Sequence, residues 1–258
     1  MAQKIKLSVA IITLNEENNI ARCIESVISI ADEIIIVDSF STDNTERIAS
    51  QFPLRFIKNK FEGHIEQKNF ALKATSYQWV LSLDADESLS AEAIKAISEI
   101  KNNTDADAYS FNRLTNYCGK WIYHSGWYPD IKVRMVNKEK AVWQGINPHD
   151  QLVLDQGGKI KHIKANILHY SINSIKQHLE TIEKFSTIAA KARFDKGQNA
   201  RFLKIYLHTI WKYLKIYFVK TGFLDGKYGF LIARFSAYST FLRYSKLRKL
   251  NKNRKTDL

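Results

Sequence analysis

Four short, almost uninterrupted apolar runs punctuate the first hundred residues: 7–14 (LSVAIITL), 33–37 (EIIIV), the weaker 54–58, and 79–83 (WVLSL). Helix-period stretches lie between and after them, at about 17–30, 43–51, 64–75 and 90–101. A strand with one wet face alternates apolar and polar residues; one that is apolar at nearly every position must be covered on both faces. This alternation predicts an α/β fold, a mostly parallel sheet flanked by helices. Its crossovers should be right-handed, and its ligands should sit beyond the carboxyl ends of the strands. Asn15, Asp38 and Asp84 fall at such ends.

Residues 105–170 change character. Tyr, Trp and His become frequent, Pro129 and Pro148 appear, and strand-like runs are short (107–114, 131–137, 151–155, 160–169). An irregular, partly antiparallel extension of the sheet is expected there, forming a second wall of a cleft. From 171 the period returns to 3.6, with one helix near 174–195 that Gly197 would end. The chain thus divides into 1–170, with halves 1–104 and 105–170, and a helical region 171–258.

A chain of 258 residues with 45% apolar and 25% charged residues suits one large domain or a domain plus an appendage, and excludes global disorder. Cys23 and Cys118 have no metal-ligand spacing, so a reducing compartment is expected. The run 7–14 is too short for a secretory leader, and no apolar stretch is long enough for an ordinary spanning helix. No Gly-x-Gly-x-x-Gly or Walker loop occurs, which argues against dinucleotide and P-loop binding.

The charge is uneven. Of a net +13, nearly all sits in 201–258, which holds 14 Lys/Arg against 2 Asp/Glu. On a helical projection of 201–220, Arg201, Lys204, His208, Lys212 and Lys215 fall within about 80°, and the remaining positions are largely apolar. A large apolar face beside a cationic stripe suits an anionic membrane interface. Packing of the same face on the catalytic domain is the alternative. No nucleic-acid module accompanies the basic stretch, so no nucleic-acid partner is expected.

Chemistry concentrates at four places. The first strand end reads Thr13-Leu14-Asn15-Glu16-Glu17, and the second runs from Asp38 to Thr45. Small polar residues with an Asp after a strand suit a ribose or base edge, although Ser41 and Asp43 also read as helix caps. Gly63 precedes a helix on which Lys68 lies one turn in, able either to reach a phosphate or to sit solvated. The fourth strand runs into Asp84 and Asp86, two carboxylates suited to a hard divalent cation. Trp121, Tyr123, Trp127, Tyr128 and Trp143 could stack on sugar rings or pack in the core. His162, His169 and His178 are too far apart in sequence for a ligand motif and read as structural.

Taken in order, TLNEE (13–17), VDSFSTDNT (37–45), GHIEQKNFA (63–71) and LDADE (83–87) resemble the family-2 glycosyltransferases, inverting enzymes of the GT-A fold, over about residues 5–155. The chain is similar in particular to bacterial β-glucosyltransferases of the lipopolysaccharide inner core, which share the style of Trp127-Tyr128-Pro129-Asp130, Arg134 and His149-Asp150. The resemblance implies that Asp38 and the Thr13–Glu16 segment, Asn15 included, hold the uridine of a UDP-sugar, with Lys68 near the nucleotide. Asp84 would contact ribose or metal-bound water, and Asp86 would ligate Mg²⁺ or Mn²⁺. It also implies a general base at Asp150, where the family commonly has Glu, with His149 as the alternative or its partner; Asp130 and Glu139 match less well.

The function so implied is metal-dependent, inverting transfer of a hexose, glucose from UDP-glucose, to a lipid-linked saccharide in lipopolysaccharide core assembly. It would act at the cytoplasmic face of the inner membrane as a peripheral protein. The alternatives are a polyprenyl-phosphate glycosyltransferase or nucleotidyltransferase on the same fold, and a non-catalytic, membrane-bound nucleotide-sugar binding protein.

Overall fold

The structure is a computed structural model that describes residues 4–147, 149–155 and 157–256. In chain order the elements are β1 (Leu7–Thr13), α1 (Ile20–Val27), β2 (Glu33–Asp38), α2 (Thr45–Ala49), β3 (Arg55–Lys58), α3 (His64–Ala74), β4 (Trp79–Asp84), β5 (Glu87–Leu89) and α4 (Ala91–Asn102). There follow β6 (Ala108–Tyr117), β7 (Lys120–Trp121), β8 (Asp130–Asn137), β9 (Ala141–Ile146), β10 (His149–Leu154) and β11 (Ile160–Ile172). Three long helices complete the chain: α5 (Ile175–Asp195), α6 (Phe202–Leu214) and α7 (Lys227–Thr256).

Two compact units emerge, one comprising Met1–Leu114 with Asp130–Tyr170, the other Thr115–Pro129 with Ser171–Leu258. The second boundary falls at residue 170, and the segment Thr115–Pro129 groups with the C-terminal helices.

The first unit is built on a sheet ordered β3-β2-β1-β4-β8-β6-β11-β5. Strands β3, β2, β1 and β4 are parallel; β8 is antiparallel to β4 and to β6, and β11 is antiparallel to β5. Strand parity explains the continuous apolar runs. Val9, Ile11, Ile34, Ile36, Leu81 and Leu83 pack on one face with Ile24 of α1 and Ile97 of α4. The intervening Ala10, Ile35, Val37 and Val80 pack on the other with Ala71 and Leu72 of α3 and with Trp143 and Leu152 of a hairpin. Each fully buried aliphatic side chain contributes about 1.5–3 kcal/mol, so both faces are strongly held. Period-two alternation puts Asp84 two positions beyond Ser82 and on the α3 side.

That hairpin is β9–β10, paired from Ala141↔Leu154 to Ile146↔His149. β9 has no counterpart among the strand-like runs of the sequence. Asn69 of α3 fixes the hairpin by bonding both ways to the Trp143 backbone, donating to its carbonyl at 2.9 Å and accepting from its N–H at 3.0 Å. At the other end the Asn147 carbonyl oxygen accepts from Ile65 N–H (3.0 Å), capping α3, while its amide donates to Glu66 (2.9 Å). Gly63 permits this approach, because a Cβ there would collide with the Glu66 carboxylate and the Asn147 amide.

In the second unit α7 packs along α5 and α6. Lys246 of α7 bonds the Glu183 carboxylate, Ser186 and Thr187 of α5. Asp225, buried before α7, accepts from the backbone N–H of Tyr123 and His124 and from the Ser125 hydroxyl. His178 meets Tyr117 Oη at 2.8 Å inside this unit, and burial lowers its pKa, as fits a structural histidine. No described helix is long and apolar enough to cross a membrane.

Candidate active site

A cavity of about 450 Å³ opens in the first unit between the end of β4, α3, β8 and the β9–β10 hairpin. Four cations (Lys68, Arg113, Lys132, Arg134) and two carboxylates (Asp84, Asp150) line it. Lys68 is its hub. The ammonium is 4% exposed, 2.9 Å from Asp84 Oδ1 and 2.7 Å from Asp150 Oδ2. The sequence separates Lys68 from Asp150 widely; the anchoring of the hairpin by Asn69 brings them together. The Lys68 ammonium also lies 4.5 Å above the Trp143 ring.

Arg134, from β8, approaches Asp84 Oδ2 at 3.4 Å and Glu87 Oε1 at 2.6 Å. Glu87 is wholly buried and accepts the Asp84 N–H at 3.1 Å through its other oxygen. Burial by itself would raise the Asp84 carboxyl, but the Lys68 ammonium and Arg134 guanidinium overcome it and hold the group well below the usual carboxylate range. Burial would lower the Arg134 guanidinium, and Glu87 and Asp84 overturn that and raise it. Two donors in this wall, Arg134 Nε and Trp143 Nε1, are buried without a hydrogen-bond partner among the described residues. Buried donors beside a cation-rich cavity are suited to oxygen-rich anionic ligands.

Asp84 and Asp86 therefore part company. Asp84, expected at ribose or beside a metal, faces Lys68 and Arg134. Asp86 lies past the strand end, and β5 begins immediately after it. Because β5 pairs with β11 in the register Glu87↔His169, the His169 ring comes to Asp86, Nε2 to Oδ2 3.1 Å. The backbone carbonyl of Asp86 accepts the Tyr170 N–H at 2.8 Å. Among the described residues no group of three or more metal-donor side chains converges. Mg²⁺ and Mn²⁺ are commonly held by one or two protein groups plus substrate phosphate and water, and an Asp–His pair with partly exposed side chains fits that pattern. Spacing alone gives His169 a structural reading; strand pairing between 87–89 and 167–169 is what places it beside Asp86.

The loops after β1 and β2 lock onto each other. Asn15 N–H donates to Ser41 Oγ (2.8 Å), Asn15 Oδ1 accepts from Thr42 N–H (2.8 Å), Glu16 N–H donates to Thr45 Oγ1 (2.8 Å), and Glu17 N–H donates to Asp43 (3.1 Å). Asn15 adopts φ +56°, a left-handed turn that Asn tolerates. Asp38, expected to grip a nucleoside, is fully buried, and both its carboxylate oxygens accept from Ser41. Its observed part is to shape the loop. Thr13 Oγ1 is buried at the end of β1 without a hydrogen-bond partner among the described residues. Burial raises the Glu16 carboxyl; the Asn19 amide opposes this and the Asp86 charge adds to it.

His149 begins β10, and its side chain lies outside the described residues. Asp130 pairs with Arg113 at 2.7 Å, and Glu139 accepts from Gln78 at 2.9 Å. Of the aromatic candidates for sugar stacking, Trp143 is buried with Lys68 across its face. Trp127 packs edge-on against Tyr117, and Tyr123 against Tyr128, in the second unit. His162 bonds Ser110 at 3.2 Å, as fits a structural histidine.

The chain is similar to known proteins. The family described as Glycosyl transferase family 2 matches residues 8–155. An uncharacterized glycosyltransferase of Rickettsia typhi is 35% identical over 258 residues, covering 95% of this chain and 88% of the relative. The lipopolysaccharide core biosynthesis glycosyltransferase LpsC of Rhizobium meliloti is 28% identical over 257 residues, covering 96% and 93%. A crystal structure of S. aureus TarS 1–349 in complex with UDP-GlcNAc aligns with 98% of this chain and 92% of its own, at 16% identity and TM-score 0.49.

Proposed function

Because the chain belongs to glycosyl transferase family 2 and is a glycosyltransferase, we propose that it moves a hexose, glucose from UDP-glucose, with inversion onto a lipid-linked saccharide. The observation that carries this reading is the joining of Asp84, at the end of β4, to Asp150, on the hairpin, through one buried ammonium in one cavity.

The chemistry sets the demands. A diphosphate leaving group needs countercharge, and an acceptor hydroxyl is a weak nucleophile until its proton is taken. Lys68, Arg113, Lys132 and Arg134 furnish fixed positive charge in the cavity. Asp86 and His169 are the groups that would hold Mg²⁺ or Mn²⁺, which when bound supplies Lewis-acid neutralisation of the departing diphosphate. Asp150 is the base. It takes the acceptor proton as the acceptor oxygen bonds to the anomeric carbon, while the bond from that carbon to the diphosphate oxygen breaks and its electron pair leaves with UDP. Lys68 holds the Asp150 carboxylate in place before the acceptor arrives. The interlocked loops at Thr13–Glu16 and Asp38–Thr45 form the uridine side, with Asn15 and Glu16 nearest to it and Asp38 beneath.

The similarity to LpsC supports an acceptor belonging to a lipopolysaccharide core. The C-terminal region supports action at the cytoplasmic face of the inner membrane, because α6 presents Leu203, Leu207, Ile210 and Trp211 to solvent, each more than half exposed, within a strongly basic segment. A panel of UDP- and GDP-hexoses, assayed for nucleoside diphosphate release with and without EDTA, tests the reading. UDP release from UDP-glucose that EDTA abolishes and Mn²⁺ restores is the expected result. Release of pyrophosphate instead would replace it with nucleotidyl transfer.

A further inference from the structure

The second unit contains a cavity that the transfer reaction does not use. It measures about 160 Å³ and lies between α6 and α7, with Lys212, Lys215 and His208 on one side and Arg243, Tyr244 and Thr240 on the other. Among the described residues no carboxylate pairs with Lys212, Lys215 or Arg243, whereas Lys246, one turn from Arg243, has its partner in Glu183. Arg243 is half-buried, and its Nε is enclosed without a hydrogen-bond partner among the described residues. Arg193 of α5 lies close by, its guanidinium 5.2 Å from the Tyr244 ring centroid. Burial first, then Lys215 and Arg243, push the Lys212 ammonium below its ordinary value; burial and then Arg193 do the same to Arg243. Cations crowded without a countercharge are destabilised until an anion joins them.

The surroundings decide which anion. Trp211 lines the cavity and is 57% exposed; Leu207 (58%), Leu214 (39%) and Phe218 (56%) continue the same outer face of the helix. An apolar face flanked by a cationic hollow matches the boundary between acyl chains and headgroups. We propose that the hollow between α6 and α7 is a headgroup clamp, in which Lys212, Lys215 and Arg243 hold the phosphate of an anionic phospholipid while the exposed face of α6 enters the acyl boundary. The clamp rests on the membrane-surface reading above and adds to it a defined site and ligand.

Flotation of the full chain with vesicles tests it, using phosphatidylcholine alone and phosphatidylcholine with phosphatidylglycerol. K212Q/R243Q is compared with K204Q/K220Q, which removes the same charge outside the cavity, with folding checked by circular dichroism. The expected result is selective binding to the phosphatidylglycerol vesicles, weakened about tenfold more by K212Q/R243Q than by the control pair, a difference worth about 1.4 kcal/mol. Should K212Q/R243Q fail to fold, K215Q is measured against K220Q with the same expectation. Equal losses in the two pairs would overturn the clamp and leave diffuse attraction. Wild-type protein that ignores both vesicles would overturn the membrane reading itself. Tight binding of free glycerol phosphate without vesicle binding would reassign the cavity to a soluble phosphate.

Discussion

Lys68 and Asp150 stand 82 positions apart in the chain and 2.7 Å apart in the fold. The contact joins a helix of the parallel half to the β9–β10 hairpin, and Asp84 shares the same ammonium.

Removing that ammonium leaves two carboxylates facing each other across a cavity. Lys68→Met should destabilise the protein by about 3 kcal/mol, as expected when one partner of a buried ion pair is deleted. Urea unfolding followed by fluorescence measures it; a change within error would mean that water already neutralises the site.

Asp150→Asn keeps the shape and removes the proton acceptor. Turnover should fall about 10²- to 10⁴-fold while affinity for UDP, measured calorimetrically, stays near wild type. Near-normal turnover would move the base elsewhere, with His149 the next to substitute.

Asp86→Ala and His169→Ala should each weaken Mn²⁺ binding in the presence of UDP at least tenfold, read by electron paramagnetic resonance. Asp84→Asn should leave Mn²⁺ binding less affected, since Lys68 and Arg134 already occupy that carboxylate. Equal loss in all three would restore Asp84 to the cation.

Glu33 gives a pH signature away from the site. Burial would raise its carboxyl, but Ser8, Ser76 and Arg55 override this and bring it from 4.5 to about 2. The folded value is the lower one, so the folded state binds fewer protons in this window. The stabilisation is complete above pH 4.5 and is lost as pH falls toward about 2. Glu33→Gln should flatten the acid limb of the stability curve between those values, measured by urea unfolding at each pH.

Asn69→Ala deletes both bonds to the Trp143 backbone and exposes two groups to partial desolvation, a cost of about 1–3 kcal/mol. If the hairpin carries the base, turnover should fall as well, although Asn69 touches no reacting atom. Hydrogen exchange should quicken selectively in 141–154.

Much of the first unit could be read directly. The runs at 7–14, 33–37 and 79–83 were apolar because both faces of β1, β2 and β4 are covered, and the motifs at their ends were visible because strands terminate in loops. The hairpin was harder. β9 (AVWQGI) is short and half-exposed, and its stability comes from Asn69 and Asn147 rather than from its own pattern. Within α6, Ile205 is buried, while Leu203 and Leu207 remain exposed.

The sequence by itself determined the α/β architecture, the polar strand ends and the basic C-terminal segment, because burial, capping and charge are local demands written in consecutive residues. Only the tertiary structure decided which charges meet. Asp84 turned to Lys68 and Arg134, Asp86 to His169, and Glu87 to the buried interior, although all three acids sit within four positions. Strand pairing and the docking of one hairpin select those partners, and electrostatic energy depends on distance through space, which chain order does not encode.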